Sequence, residues 1–259
     1  MDIIPVFSSH YSLSFSRSIL TLEKTSEIKE NSPVSICSIA KRYNLKQIYL
    51  ADSSFAGFIE AYKNFSDIEV QLCYGIKLIV CNDCEDKSDK SLMTECVVTV
   101  WMLNSNGYKD LIKIFSVAHG KTENFYYRGR IDWKQLKLLW TKNLGLSINF
   151  YNGFLARNTL EGYCCLPDLD GLNPEFEISE MNLPFDSIIK EKTVKFVGEN
   201  KFKLIDIHPI HYFKKTDLKA FQVYKCILSR GTFNKPELSH FCSDRFCFEE
   251  YCNIKSITL

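Results

Sequence analysis

The stretch KLIDIHPIHYF, residues 203 to 213, sets Asp206, His208 and His211 close together. The chain has five histidines, and two of them fall here. KLIDI reads as the end of a buried strand. A carboxylate and two imidazoles at a strand end are donors that can hold a divalent ion, which in turn can activate water against a phosphoester. The plainer use of the same groups is hydrogen bonding at a barrel mouth, with Tyr212 packed beside His211.

Thiols are the second set of reactive groups, and there are 11 cysteines. Cys81 and Cys84 form one CxxC, in CNDC. Cys164 and Cys165 are adjacent, and Cys242, Cys247 and Cys252 recur at even spacing. No second CxxC or matched histidine pair completes a zinc ribbon. Secreted disulfide frameworks occur mostly in shorter chains carrying a signal segment. The cysteines are therefore expected to be reduced and mostly buried. CNDC opens a polar run, NDCEDKSDKS (82–91), expected to be a solvated loop in which the CxxC spacing is incidental.

The elements that would position these groups follow from apolar spacing. Helices are expected over 32–43 (Ser32 as N-cap, Pro33 in the first turn), 56–65, 106–118, 132–140, 185–197 and 216–228. Strands are expected over 47–51, 69–80, 95–103, 144–150 and 202–207, with FEISE (176–180) strand-like. The strands are short apolar runs rather than alternating ones, as expected for strands covered on both faces. Alternating strand and helix predicts an α/β fold of parallel strands with helices outside. No linker divides the chain, so residues 1–259 are expected to form a single domain.

Composition narrows the function. The chain has 259 residues, 46% of them hydrophobic and 14% aromatic, which is enough for a large core. A net charge of +1 gives no general attraction to nucleic acid or membrane. The apolar run IIPVF is too short for a signal peptide, and no stretch suits a membrane helix. No GxGxxG, GxxxxGK[ST] or GxSxG follows a strand, so dinucleotide, P-loop and nucleophile-elbow chemistry lack support.

Four stretches together carry a resemblance: SSHYSLS (8–14), IYLADSSFAGFIEAYK (48–63), NGYKDLIKIFSVAH (106–119) and IHYFKKTDLKAFQVYKCI (210–227). The chain resembles the polymerase and histidinol phosphatase (PHP) domain of bacterial DNA polymerase III alpha subunits. The resemblance extends to RIDWKQLK (130–137), LGLSINFYNG (144–153) and LSHFCSDRFCFEEY (238–251). NGYKDLIKIFSVA is its most specific piece. The segment SILTLEKTSEIKENSP (18–33) is longer than usual and looks more like divergent, phage-type versions. The implied fold is a distorted seven-stranded (βα) barrel of the PHP type. The implied site is a cluster of His, Asp, Glu and Cys ligands at strand C-terminal ends. In active members it holds Mn, Zn or Mg for phosphoester or 3′–5′ exonuclease hydrolysis.

Carried over position by position, most of those ligands are replaced. The opening histidine positions fall on Ile4, Val6 and Ser8, and His10 stands where an acid is usual. A Thr-Asp-His piece becomes Ala51-Asp52-Ser53. The glutamate after the family's glycine falls on Lys77, a cation that would repel metal ions. The cysteine position falls near Asn152 and a further histidine near Met181. In the last motif the acid becomes Pro209, while His211 and Tyr212 remain. Asp52 and His211 are thus the retained ligand positions, and His10, His208 and Asp206 lie near the expected rim. His10 and His208 would need rearrangement to form a single-metal site with Asp52 and His211. Asp52 otherwise suits a helix N-cap or turn ahead of SSFAGFIEAY. YYRGR (126–130) with Lys121 would touch phosphates or form a solvated loop. No catalytic residue, metal or other cofactor is expected in this chain. The resemblance implies the polymerase palm and thumb or other replisome proteins as partners, DNA contact only indirectly, no membrane, and a cytoplasmic location in a bacterial or phage-infected cell. The alternative is a phosphoesterase or exonuclease with an altered site.

Overall fold

The computed structural model describes residues 3–11, 19–24, 33–120, 122–229, 231–232, 234 and 241–258. Along the chain the elements begin with β1 (Ile4–Phe7), β2 (Leu20–Thr21), β3 (Val34–Ser35), α1 (Ile36–Arg42), β4 (Gln47–Asp52), α2 (Phe58–Ser66) and β5 (Gln71–Cys81). There follow α3 (Asp89–Leu92), β6 (Cys96–Met102), α4 (Ser105–Gly120), β7 (Phe125–Tyr126), β8 (Arg128–Gly129), β9 (Ile131–Asp132) and α5 (Trp133–Leu139). The last are β10 (Leu144–Ile148), α6 (Phe154–Leu160), β11 (Glu175–Ile178), α7 (Asp186–Asn200), β12 (Lys203–Ile210), α8 (Leu218–Ser229) and α9 (Phe248–Lys255).

The main sheet pairs in the order β4-β1-β12-β11-β10-β6-β5-β9, and β4 also pairs with β5. Seven strands therefore close on themselves as a barrel, with helices around it and β9 attached to β5. The expected α/β barrel is present, but its strands are not all parallel. β6 runs antiparallel to both β5 and β10. The link from β5 to β6 holds only the one-turn α3, so it has no crossover helix to bring the chain back in parallel.

Residues cluster into two compact units. One comprises Gly75–Ile178 and Ser187–Asp206. Its strands β5, β6, β10 and β11 carry two unlike faces. Ile76, Val100 and Leu146 align in one cross-strand row, and Leu78, Val98 and Ile148 in another; all are buried. Phe176 continues this apolar face and meets Phe154 of α6 and Phe196 of α7, at 6.2 and 5.5 Å between centroids. The opposite face is polar and is described below.

Helix α4 has Gly107 in its first turn. A Cβ there would sit 2.6 Å from the Asn143 carbonyl oxygen, so the close helix–sheet approach requires glycine. This gives a packing reason for the glycine in NGYKDL.

The other unit is built from described residues within Asp2–Tyr74, Ser179–Asp186 and Ile207–Leu259. Here β1 lies between β4 and the end of β12, both parallel to it. Helix α1 starts later than the sequence suggests. Ser35, not Ser32, is its N-cap, and the hydroxyl accepts from the amides of Cys37 (3.1 Å) and Ser38 (3.4 Å). Residues 34 and 35 are drawn into pairing with β2, and Ser32 lies outside the described residues. Parts of SSHYSLS, of the segment 18–33 and of LSHFCSDRFCFEEY lie outside them too. Among the described residues no helix is long and apolar enough to cross a membrane.

Candidate functional site

Asp52 is the last residue of β4 and is fully buried. Its carboxylate accepts the Ser9 amide at Oδ1 (2.9 Å) and the Ser9 hydroxyl at Oδ2 (2.6 Å). The expected N-cap role is not observed, because α2 begins at Phe58 with Gly57 as its cap. Asp52 instead ties down the chain leaving β1. Next to it, the Ser8 hydroxyl donates to the Ala51 carbonyl (3.3 Å), and the Ser8 amide donates to Ile210 O (3.1 Å). The carboxylate charge also contributes to raising the Tyr74 phenol, though burial is the larger cause. Ile4 and Val6 sit in β1 opposite Ile207 and Pro209. Ser53, one residue beyond β4, is exposed.

His10 holds its place through its backbone amide on Leu20 O (2.9 Å) and its ring against Tyr11, at 4.1 Å between centroids. Its buried Nδ1 has no hydrogen-bond partner among the described residues.

The acid and the imidazoles of the β12 motif make different local contacts. Asp206 is half-buried and pairs with Ile178 of β11. His208 is fully buried, and its Nε2–H donates to the Cys247 carbonyl (3.1 Å). Burial lowers its pKa, so the neutral ring is favoured. Pro209 is accommodated by register. Ile210 O faces β1, so the Pro209 nitrogen, one residue earlier, points away from β1, and β11 pairing has already ended at Asp206. His211 is packed in an aromatic stack with Phe221 (5.1 Å) and Phe246 (5.6 Å), and its amide donates to Phe246 O (2.9 Å). Tyr212 is buried and donates to the Ser243 carbonyl (2.9 Å). Met181, where the resemblance places a histidine, is buried, and its carbonyl accepts the Ser243 hydroxyl.

In the other unit, the polar face of the β5–β6–β10–β11 wall carries residues the sequence reading passed over. Lys77, Thr99 and Ser147 align across β5, β6 and β10. Direct cross-strand partners project to the same face. Glu177, in β11, is buried on that face. It accepts from Ser147 Oγ (2.8 Å), from Asn149 Nδ2 (2.9 and 3.1 Å) and from the Phe150 amide (3.4 Å). Trp101 Nε1 donates to Ser147 Oγ (2.9 Å), and Asn149 Nδ2 also donates to Thr99 Oγ1 (3.0 Å). Burial raises the Glu177 pKa, while Asn149, Ser147 and the Lys77 charge pull it back. A lone glutamate in FEISE gives no signal of this; only strand register reveals it. Asn152 contributes its carbonyl, which accepts the Val97 amide (2.8 Å).

Two expectations about loops are corrected. The run 82–91 is largely solvated, with Asp83, Glu85, Asp86, Ser88, Asp89 and Lys90 exposed, but the two thiols of CNDC are not: both are buried, with sulfurs 3.5 Å apart. YYRGR is not a free basic loop. Arg130 is fully buried and donates to Ser91 Oγ (2.9 Å), Glu95 Oε1 (3.3 Å) and the Asp86 carbonyl. Arg128 bonds the other oxygen of Glu95. Both guanidinium groups serve internal pairing. Lys121 lies outside the described residues. The described cysteines are unbridged, and burial pushes the Cys37 and Cys247 thiols up to about 12.

Among the described residues no group of three or more His, Cys, Asp or Glu side chains is placed to hold a metal ion. His10, Asp52, His208 and His211 are each engaged locally rather than converging on one point.

A family model described as PHP domain matches residues 29–170. The chain is also similar to DNA polymerase III subunit alpha of Borreliella burgdorferi (strain ATCC 35210 / DSM 4680 / CIP 102532 / B31), 25% identical over 203 residues. That match covers 74% of this chain and 17% of the relative. DNA polymerase III subunit alpha of Helicobacter pylori (strain ATCC 700392 / 26695) is 24% identical over 219 residues, covering 77% of this chain and 18% of the relative. The chain thus spans less than a fifth of the length of these relatives.

Proposed function

Because the chain belongs to the PHP domain family, we propose that it serves as a non-catalytic PHP module of a replicative DNA polymerase of the polymerase III alpha type. It acts as a part of such a polymerase or as a separate subunit, and supports or docks the polymerase body in the cytoplasm of a bacterial or phage-infected cell. The relatives that carry the name DNA polymerase III subunit alpha support the replication setting.

The observation that carries the non-catalytic reading is the fate of the ligand positions. Several metals bound together need four or more donors each, deprotonated and converging. The residues present do not fit such a group. Asp52 is committed to Ser9, His208 donates to a carbonyl, His211 is stacked between phenyl rings and Lys77 brings a positive charge. Hydrolysis of a phosphodiester would then lack both an activated water and charge neutralisation at the phosphate.

Docking is tested by expressing the tagged chain in its source cells and identifying what co-purifies by mass spectrometry. An alpha-type replicative polymerase, recovered stoichiometrically, is the expected outcome. Capture without any replication polymerase contradicts the docking reading.

A further inference from the structure

We infer that Cys81 and Cys84 form an oxidisable dithiol, a modification site that a peroxide closes into a disulfide. The inference stands on how the two sulfurs are held. They lie 3.5 Å apart, and both thiols are buried. Each is fixed by a different part of the fold. Cys81 is the last residue of β5, in register with Asp132 of β9. Cys84 belongs to the loop that follows. Arg130 donates to the Cys84 carbonyl (3.5 Å) and to the Asp86 carbonyl in that loop. Arg130 is itself fully buried and bonded to Ser91 and Glu95, so the loop is anchored close to the strand end. Disulfide sulfurs sit about 2 Å apart, so the pair has about 1.5 Å to close, within reach of side-chain rotation. CxxC spacing in a solvated loop does not by itself bring about this contact.

The surroundings set the order of reaction. The hydrogen bond with Cys81, then the Arg130 and Lys87 charges, lower the Cys84 pKa against the penalty of burial. The same bond, then burial, raises Cys81. The thiolate is the nucleophile, so Cys84 reacts first. Its chain neighbours Asp83 and Glu85 are exposed, so a small opening of the loop admits an oxidant little larger than water, such as hydrogen peroxide. The Cys84 thiolate attacks one peroxide oxygen and the O–O bond breaks, giving a sulfenic acid and hydroxide. The Cys81 sulfur then attacks the Cys84 sulfur, and the S–O bond breaks. The departing hydroxide leaves as water with the Cys81 proton, and the first hydroxide takes the proton that Cys84 had lost. Two thiols and one peroxide thus give one disulfide and two waters, with two electrons passing from sulfur to the peroxide oxygens. Cys165, in the same unit, donates its thiol hydrogen to the Glu95 carbonyl instead (3.3 Å). This inference is independent of docking: the module can dock whether or not the dithiol is oxidised.

The test treats the reduced, folded full chain with hydrogen peroxide, quenches it, alkylates the remaining thiols under denaturant and maps tryptic peptides by mass spectrometry. Cleavage after Lys77 and Lys87 leaves both cysteines in one peptide, residues 78–87. That peptide is expected to lose two hydrogens and escape alkylation, at least about tenfold faster than Cys37 or Cys247 is oxidised. A dithiol reductant is expected to restore its alkylation. In Cys81→Ser, Cys84 is expected to stop at the sulfenic acid, which dimedone traps. In Cys84→Ser, Cys81 is expected to stay reduced over the same time. Should a serine variant fail to fold, the wild-type mapping decides alone. Full alkylation of peptide 78–87, a bridge from it to Cys96 or Cys165, oxidation no faster than at Cys37, or oxidation only of the unfolded chain would each overturn the assignment. None of these outcomes bears on polymerase capture, so failure of this inference and failure of docking are distinguishable.

Discussion

Asp52 accepts two hydrogen bonds from one serine in a fully buried setting, so truncating it strands the Ser9 amide and hydroxyl. Asp52→Ala is expected to cost about 2–4 kcal/mol, measured by denaturant unfolding, since each charge-assisted bond lost leaves a buried donor unsatisfied. His208 makes a pH-dependent contribution of definite sign. Its folded pKa lies below the value of 6.5 for a free histidine because burial penalises the charged ring. The stabilisation is therefore present above that value and is lost as pH falls below it toward the folded pKa. Melting temperature should drop on acidification from pH 6.5, and His208→Gln should flatten that part of the profile relative to the wild type. Residue types alone pointed to Asp206, His208 and His211, yet His208 is used for a hydrogen bond to a carbonyl and His211 for aromatic packing. Glu177 and Glu95 carried no sequence signal, because their partners lie some 30 residues away along the chain and are brought to them only by the fold.

Periodic apolar spacing located most of the helices and strands that frame the barrel. The expected helix at 106–118 is α4, Ser105–Gly120, and the expected strand at 144–150 is β10, Leu144–Ile148. Short elements escaped. Helix α6 has seven residues, too few for a clear 3.6-residue period, and the two-residue strands β2 and β3 exist only through their pairing. The antiparallel direction of β6 was equally hidden, since a β-prone run has no polarity of its own. At Gly107, helix propensity and packing make opposite demands. Alanine is the better helix former by about 1 kcal/mol, but its Cβ would meet backbone at 2.6 Å, and backbone cannot swing aside. Gly107→Ala is expected to lower the melting temperature; an increase would show that α4 can shift on its sheet. Ser35→Ala removes a cap bonded to two amides and should cost about 1 kcal/mol by denaturant unfolding.

At the scale of the whole chain, the described residues neutralise buried charge internally: Arg130 and the half-exposed Arg128 pair with Glu95, and Lys77 lies on the same sheet face as Glu177. Removing one partner of the fully buried pair, as in Glu95→Gln, is expected to cost about 3–5 kcal/mol. This arrangement leaves these charges engaged within the chain and is in line with the proposed non-catalytic role. The account is tested most directly by assaying hydrolysis of single-stranded DNA and a generic phosphoester with the chain purified without chelator, in Mn²⁺ and separately in Zn²⁺. The account expects no turnover above a metal-only blank. Metal-dependent hydrolysis that disappears in a folded Asp52→Asn variant would contradict it.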